Sequence, residues 1–326
     1  MKQIEFAAAG KPEEVVVYAD AEAPSGTGPD EVLVKVLAFP INPADLLTMQ
    51  GIYPRLDTTT SAIGNEAVGE IAAVGANVGN LVPGDRVILL SLNNWREFRL
   101  LKASEVVKVS THGDVVQQAG LKVNPATANL LLHQFVELKA GDWIIQNAAN
   151  SAVGRAAIQL ARILGIKTVN IVRRSDVLDE LRALGADVVL LDGDDLPQRV
   201  GAATENATIP LGIDCVSGNA TDRIASCLGP GATLAIYGAI SGERANVAPG
   251  TIVFNDLRIR GLWLSKYLMD APREAIEALY RRLDGVSISG QMTTKIDSIF
   301  RADDIKGAVR RASQTGIDGK VIVTFN

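Results

Sequence analysis

Residues 142–175, DWIIQNAANSAVGRAAIQLARILGIKTVNIVRRS, decide the reading of the whole chain, because they spell strand, tight turn, helix and strand in succession. Trp143, Ile144 and Ile145 form a short apolar run of the kind found in strands buried on both faces. Asn147, Ala148, Ala149, Asn150 and Ser151 are small or turn-prone and have to reverse the chain. Val153, Ala157, Leu160, Ala161 and Leu164 then recur as one apolar stripe at helical spacing. Gly165 follows where a left-handed C-cap is wanted, and a second strand runs over 166–172. The free N–H groups of the helix's first turn, with the helix dipole behind them, make such a turn a site for an anion.

The turn keeps only Gly154 of the G-x-G-x-x-G dinucleotide fingerprint, with Ala148, Ala149 and Ala152 at positions where glycine is usual. The strand–helix–strand unit around it has the right length, so Asn150, Ser151, Ala152, Val153 and Gly154 are candidate cofactor-binding residues. The second strand ends in Arg173, Arg174 and Ser175, near where an NAD-binding enzyme places an acidic residue for the ribose 2′-hydroxyl. Two guanidiniums and a hydroxyl suit a 2′-phosphate, which points to NADP(H). A solvated basic strand end is the plainer alternative, and the residues alone leave both open.

A chain of 326 residues, 47% hydrophobic and 21% charged, is ordinary for a globular protein of about two domains. Thirty-seven acidic against 32 basic residues leave a net charge of −5 with no basic block, so no nucleic-acid partner is expected. An anionic ligand would have to be met by local arginine or lysine. No apolar run approaches membrane-spanning length and the first residues lack a leader pattern, so the expectation is no membrane association and a cytoplasmic location, although a processed organelle form would look the same. Cys215 and Cys227 are the only cysteines, too few for a four-thiolate zinc lobe, and both read as small core residues.

Up to about residue 120 the chain lacks helical periodicity and reads as short strands (15–18, 31–36, 68–74, 86–90) between Gly, Pro and Asp turns, a small barrel or sandwich. Within it, Asn42, Pro43, Ala44 and Asp45 open a short helix that Gly51 stops, leaving Tyr53 on a loop and held extended by Pro54. By itself a loop tyrosine reads as packing against the barrel. A helix over 124–136 leads into the 142–175 unit, after which helices (176–184, 195–206, 220–228) alternate with strands (187–191, 211–216, 232–237, 257–264). That alternation requires a parallel sheet covered on both faces, the doubly wound α/β architecture. A helix over 272–284 and strands over 293–299 and 320–323 complete the chain. The expected domains are 1–122 with 292–326, β-rich, and 123–291, dinucleotide-binding.

The chain resembles the medium-chain dehydrogenase/reductase superfamily and, within it, the 2-enoyl thioester reductases. The superfamily marks are Gly64-Asn65-Glu66-Ala67-Val68-Gly69, the Pro83-Gly84-Asp85-Arg86-Val87 run after Gly75, and Leu184-Gly185-Ala186-Asp187. More specific are Asn42-Pro43-Ala44-Asp45 with Gln50-Gly51-Ile52-Tyr53, then Trp95-Arg96-Glu97, Asn124-Pro125-Ala126-Thr127-Ala128 and Gly261-Leu262-Trp263-Leu264-Ser265. The resemblance implies a GroES-like catalytic domain beside a Rossmann domain, NADP(H) as cofactor, and reduction of the C2=C3 bond of an acyl-carrier-protein or coenzyme A enoyl thioester. It makes Tyr53 the proton donor, puts Trp263 beside the nicotinamide and substrate pocket, and implies a homodimer joined at the end of the parallel sheet. Asn42 and Thr127 are candidates for orienting substrate or nicotinamide, with turn and helix capping as their plain alternative.

The departures are Ala152 in place of the family's usual turn glycine, and Asn65 where zinc-dependent relatives have a ligand histidine. With His112 and His133 the only histidines, both read as structural or surface residues, no metal is expected. A quinone or alkenal reductase of the same superfamily would share these features. A non-catalytic NADPH-binding protein would not need Tyr53 and Trp263 together.

Overall fold

In the computed structural model, which describes residues 1–53 and 61–325, the chain divides into two compact units, Thr127–Tyr267 and Met1–Ala126 with Leu268–Asn326. The Pro54 that was expected to hold Tyr53 extended lies outside the described residues.

The unit 127–267 is built on a parallel sheet of six strands among the described residues: Val188–Leu191, Lys167–Val172, Trp143–Gln146, Leu211–Asp214, Thr233–Ile236 and Arg258–Gly261, in that spatial order. Numbered along the chain, the order is 3-2-1-4-5-6, so the winding reverses between Trp143–Gln146 and Leu211–Asp214. Beyond the carboxyl ends of those two strands lies the crevice where doubly wound sheets take their ligands. The central strands are apolar on both faces, as a sheet with helices on each side demands: Ile144, Ile145, Val169, Ile171, Leu211, Ile213 and Leu234 are all buried. Gly165 ends helix Ala152–Leu164 at φ 69°, the left-handed cap expected from the sequence.

The other unit carries a mixed sheet in the order Ile296–Arg301, Lys320–Thr324, Glu31–Pro40, Val68–Val74, Arg86–Leu89, Val106–Val109, with Phe98–Lys102 on the free side of Glu31–Pro40. The last strand reaches this sheet antiparallel to Glu31–Pro40, with Ile322 opposite Pro40. Its core is aliphatic, around Val34, Val36, Ile71, Val87 and Val323, with Phe39 stacked on Trp95 at 4.9 Å between ring centres.

One expectation needs correction. Val15 is helical: Pro12 fixes φ at the first turn of Pro12–Val15 and Glu13 and Glu14 favour its positive end, so the strand is Val17–Asp20. By contact, Leu268–Asn326 groups with the β-rich unit, and helix Arg273–Ile288 packs within it. Its apolar stripe (Ile276, Leu279, Tyr280, Leu283) told of a buried face but not of which unit covers it. The polar groups settle the matter. Asp284 accepts the Ser110 amide and the Gln118 side chain, each at 2.8 Å, and the Tyr280 hydroxyl donates to the Lys122 carbonyl at 3.0 Å.

Candidate active site

The expected dinucleotide turn joins Trp143–Gln146 to helix Ala152–Leu164. Ala148 takes a positive φ of 47°, and the Ser151 hydroxyl caps the helix by accepting the Gly154 amide at 3.1 Å. A side chain at Gly154 would place its Cβ 2.5 Å from the Ala149 carbonyl oxygen, so this surviving fingerprint glycine is what lets the helix close on the turn. One buried carboxylate braces the crevice behind. Asp214 Oδ1 accepts Asn147 Nδ2 at 2.6 Å and the Val216 and Ser217 amides at 2.8 and 3.1 Å, and Oδ2 accepts the Thr221 hydroxyl at 2.6 Å. The Tyr237 hydroxyl lies against Cys215 and Ser151, and burial pushes its phenol well above the usual value. Burial likewise pushes the Cys215 thiol up to about 11, which makes it a packed, inert residue.

Arg173, Arg174 and Ser175 are exposed at the carboxyl end of Lys167–Val172, the strand paired with Trp143–Gln146, so the turn and the basic strand end are neighbours on one edge of the crevice. An acidic residue that sequence reasoning passed over stands beside them: Asp176 lies 3.4 Å from Arg174. Both side chains are solvated, and such a pair holds little energy, so Arg174 can exchange Asp176 for a phosphate cheaply. A helix N-terminus, a turn that admits no side chain at Gly154 and a solvated pair of arginines together fit a dinucleotide with a 2′-phosphate.

In the β-rich unit, Asn42 and Tyr53 stand at the two ends of helix Pro43–Met49. The Ile52 and Tyr53 amides both donate to the Leu47 carbonyl, at 2.9 and 3.1 Å, and this fixes the backbone that carries the half-buried phenol. Asn42 is almost wholly enclosed. Its Nδ2 donates to Glu66 Oε1 at 2.7 Å, and its Oδ1 accepts Asn124 Nδ2 at 3.2 Å and the Lys320 ammonium. Glu66 Oε2 accepts the Val123 amide at 2.8 Å, and Lys122 donates to the Ser91 carbonyl at 2.8 Å and to that of Asn65. Asn42 is therefore an organiser of a buried ionic cluster more than an open ligand group. Burial raises the Glu66 carboxyl and lowers the Lys320 ammonium, and it brings Lys122 down to about 8. In the sequence Glu66 stands out only as a family mark, and Lys122 and Lys320 carry no local signal. A charged residue beside an apolar run reads as a strand or helix edge, and nothing local reveals that a partner lies 200 or more residues away.

Thr127 is buried in helix Asn124–His133, and Trp263 is 43% exposed just before helix Leu264–Asp270. Zinc does not fit the residues present. Asn65 donates its Nδ2 to Asp45 at 2.7 Å, and among the described residues no group of three or more His, Cys, Asp or Glu side chains is placed to hold a metal.

Comparison with known proteins adds relatives to this geometry. The family described as "Alcohol dehydrogenase GroES-like domain" matches residues 28–113, and that described as "Zinc-binding dehydrogenase" matches 152–282. The mitochondrial enoyl-[acyl-carrier-protein] reductase of Caenorhabditis elegans is 38% identical over 280 residues, 83% of this chain and 79% of that protein. Among solved structures, the Etr1p/NADP/crotonyl-CoA complex, Etr1p being a Candida tropicalis protein also solved as an Etr1p/Etr2p heterodimer, superposes with a TM-score of 0.89 at 24% identity over 99% of both chains. A quinone oxidoreductase of Pseudomonas syringae gives 0.87 at 26% identity, again over 99% of both.

The buried cluster yields a pH prediction. Asp45 accepts the Asn42 amide at 2.8 Å and the Asn65 amide at 3.0 Å, but burial outweighs these bonds and pushes its carboxyl up to about 6. A folded-state value above the unfolded one gives stability that is full below about 4 and lost as pH rises through about 6. Asp45→Asn removes this titration. The stability of the native protein relative to the variant should therefore grow by roughly 1–3 kcal/mol between pH 7 and pH 4, read from urea midpoints; a difference that stays flat with pH would place the carboxyl at its ordinary value.

Proposed function

The chain belongs to the family of the mitochondrial enoyl-[acyl-carrier-protein] reductases, a branch of the medium-chain dehydrogenase/reductases, and on that premise we propose that it reduces the C2=C3 double bond of trans-2-enoyl thioesters with NADPH. What carries the reading is the kinship with enoyl reductases across most of the chain, since the fold alone is shared with quinone oxidoreductases. Bound NADPH supplies a hydride from its nicotinamide C4 to the β-carbon of the thioester. The turn 150–154 holds the pyrophosphate at the helix N-terminus, and Arg173, Arg174 and Ser175 meet the 2′-phosphate. Tyr53 gives its phenolic proton to the α-carbon as the enolate collapses, the general-acid step that completes reduction of the double bond. Thr127 orients substrate or nicotinamide, and Asn42, whose amide is engaged by Glu66, Asn124 and Lys320, does so only indirectly, by fixing the start of the helix that leads to Tyr53.

The reading includes a homodimer. Strand Arg258–Gly261 ends the parallel sheet with every residue exposed, and Val253 and Phe254 on the adjoining helix are 71% and 86% exposed, an open strand edge flanked by apolar surface of the kind that a second copy covers. A quinone or alkenal reductase is the second reading, favoured by the likeness to the P. syringae quinone oxidoreductase.

Two substitutions test the assignment. Tyr53→Phe keeps the ring and deletes one proton donor, so enoyl-thioester turnover should fall roughly 10²–10⁴-fold with NADPH affinity unchanged; turnover at the native rate would reduce Tyr53 to a loop residue and move the quinone reading ahead. Replacing Arg173 and Arg174 by alanine should weaken NADPH by about 1.5–3 kcal/mol per bond lost and leave NADH nearly untouched, as measured by fluorescence titration. An equal loss for both cofactors would remove the 2′-phosphate assignment.

A further inference from the structure

Arg155 stands in the first turn of helix Ala152–Leu164, four residues beyond the capping Ser151. A cation is disfavoured there, because the helix dipole is positive at that end, and this one is only 7% exposed. Its guanidinium does not face the turn as a free anion ligand. Nε donates to the Asn150 carbonyl at 3.0 Å, and the two terminal nitrogens form a fork with Glu180, at 2.8 and 3.0 Å. Glu180 is the third residue of helix Leu178–Leu184, which continues directly from the 175–177 turn after Arg174. One planar, rigid side chain thus joins the last carbonyl before the helix cap to the element that presents Arg173, Arg174 and Ser175.

We infer that the Arg155–Glu180 pair is a positioning element for cofactor choice: it fixes the span between the turn that takes the pyrophosphate and the strand end that takes the 2′-phosphate. This rests on the NADP(H) reading above. Neither residue touches the 2′-phosphate in this account; they hold its two anchoring segments in register, so that a cofactor gripped at the turn delivers its phosphate to the arginines. NADH, which makes no bond at the strand end, gains nothing from that register. The fork matters because a bidentate guanidinium–carboxylate pair fixes direction as well as distance.

The test compares KM and kcat for NADPH and NADH, with crotonyl-CoA as acceptor, in the native enzyme, in Glu180→Gln and in the double variant Arg155→Met/Glu180→Met. Glu180→Gln leaves a buried cation short of its counter-charge and lowers Tm. The double variant replaces the pair, buried at Arg155 and 36% exposed at the Glu180 side chain, by apolar groups of similar length, so that no buried charge is left without its partner. In both variants KM for NADPH should rise about tenfold with KM for NADH and kcat within about twofold. A double variant with native Tm and native cofactor preference would make the pair merely structural and overturn the inference. Parallel loss of both cofactors in step with Tm would do the same. A native enzyme that itself fails to prefer NADPH would instead overturn the NADP(H) reading on which the inference stands, and the two failures are distinguished before any variant is made.

Discussion

The closeness with which helix Ala152–Leu164 approaches its own turn governs the dinucleotide unit. Everything around the crevice serves that approach. Gly154 presents no Cβ to the Ala149 carbonyl, Ser151 caps the first turn, and Asp214, from the neighbouring strand, ties the turn through Asn147 and the following loop through the Val216 and Ser217 amides. A carboxylate with four donors on it, buried where the winding of the sheet reverses, is expensive to leave unpartnered. That cost makes the two loops one rigid frame. The N–H groups of the helix start are then aimed before any ligand arrives, which is the form of preorganisation a phosphate site needs.

The β-rich unit solves a different problem by the same means. Two carboxylates and two ammonium groups, Asp45, Glu66, Lys122 and Lys320, are buried, with the side-chain amides of Asn42, Asn65 and Asn124 bonded among them. Their arrangement fixes the amide of Asn42 in one orientation, with its nitrogen toward Glu66 and its oxygen toward Lys320. Burying such a set is no gain in stability over an apolar core. What it yields is direction, for the start of the helix that carries Tyr53 at its far end.

Legibility followed range. The stripe from Val153 to Leu164, the cap at Gly165, the alternation of strand and helix and the basic pair at 173 and 174 are local patterns, and each has its counterpart in the structure. The helix at 273–288 was visible as a helix, yet its allegiance was not, because that depends on Ser110 and Gln118 meeting Asp284 across more than 160 residues. The cluster around Asn42 was hidden for the same reason, with Lys320 joining it from the other end of the chain. Val15 misled because its β-branched neighbours suggest a strand, whereas Pro12 and two acids decide for a helical turn.

The central claim is that this scaffold reduces an enoyl thioester and not merely some activated double bond. Steady-state oxidation of NADPH by the native protein, with crotonyl-CoA in one series and a simple quinone in the other, tests it most directly. The account predicts saturable turnover with crotonyl-CoA, giving butyryl-CoA in step with NADPH consumed, at a kcat/KM well above that for the quinone. Turnover of the quinone with none of the thioester would contradict it.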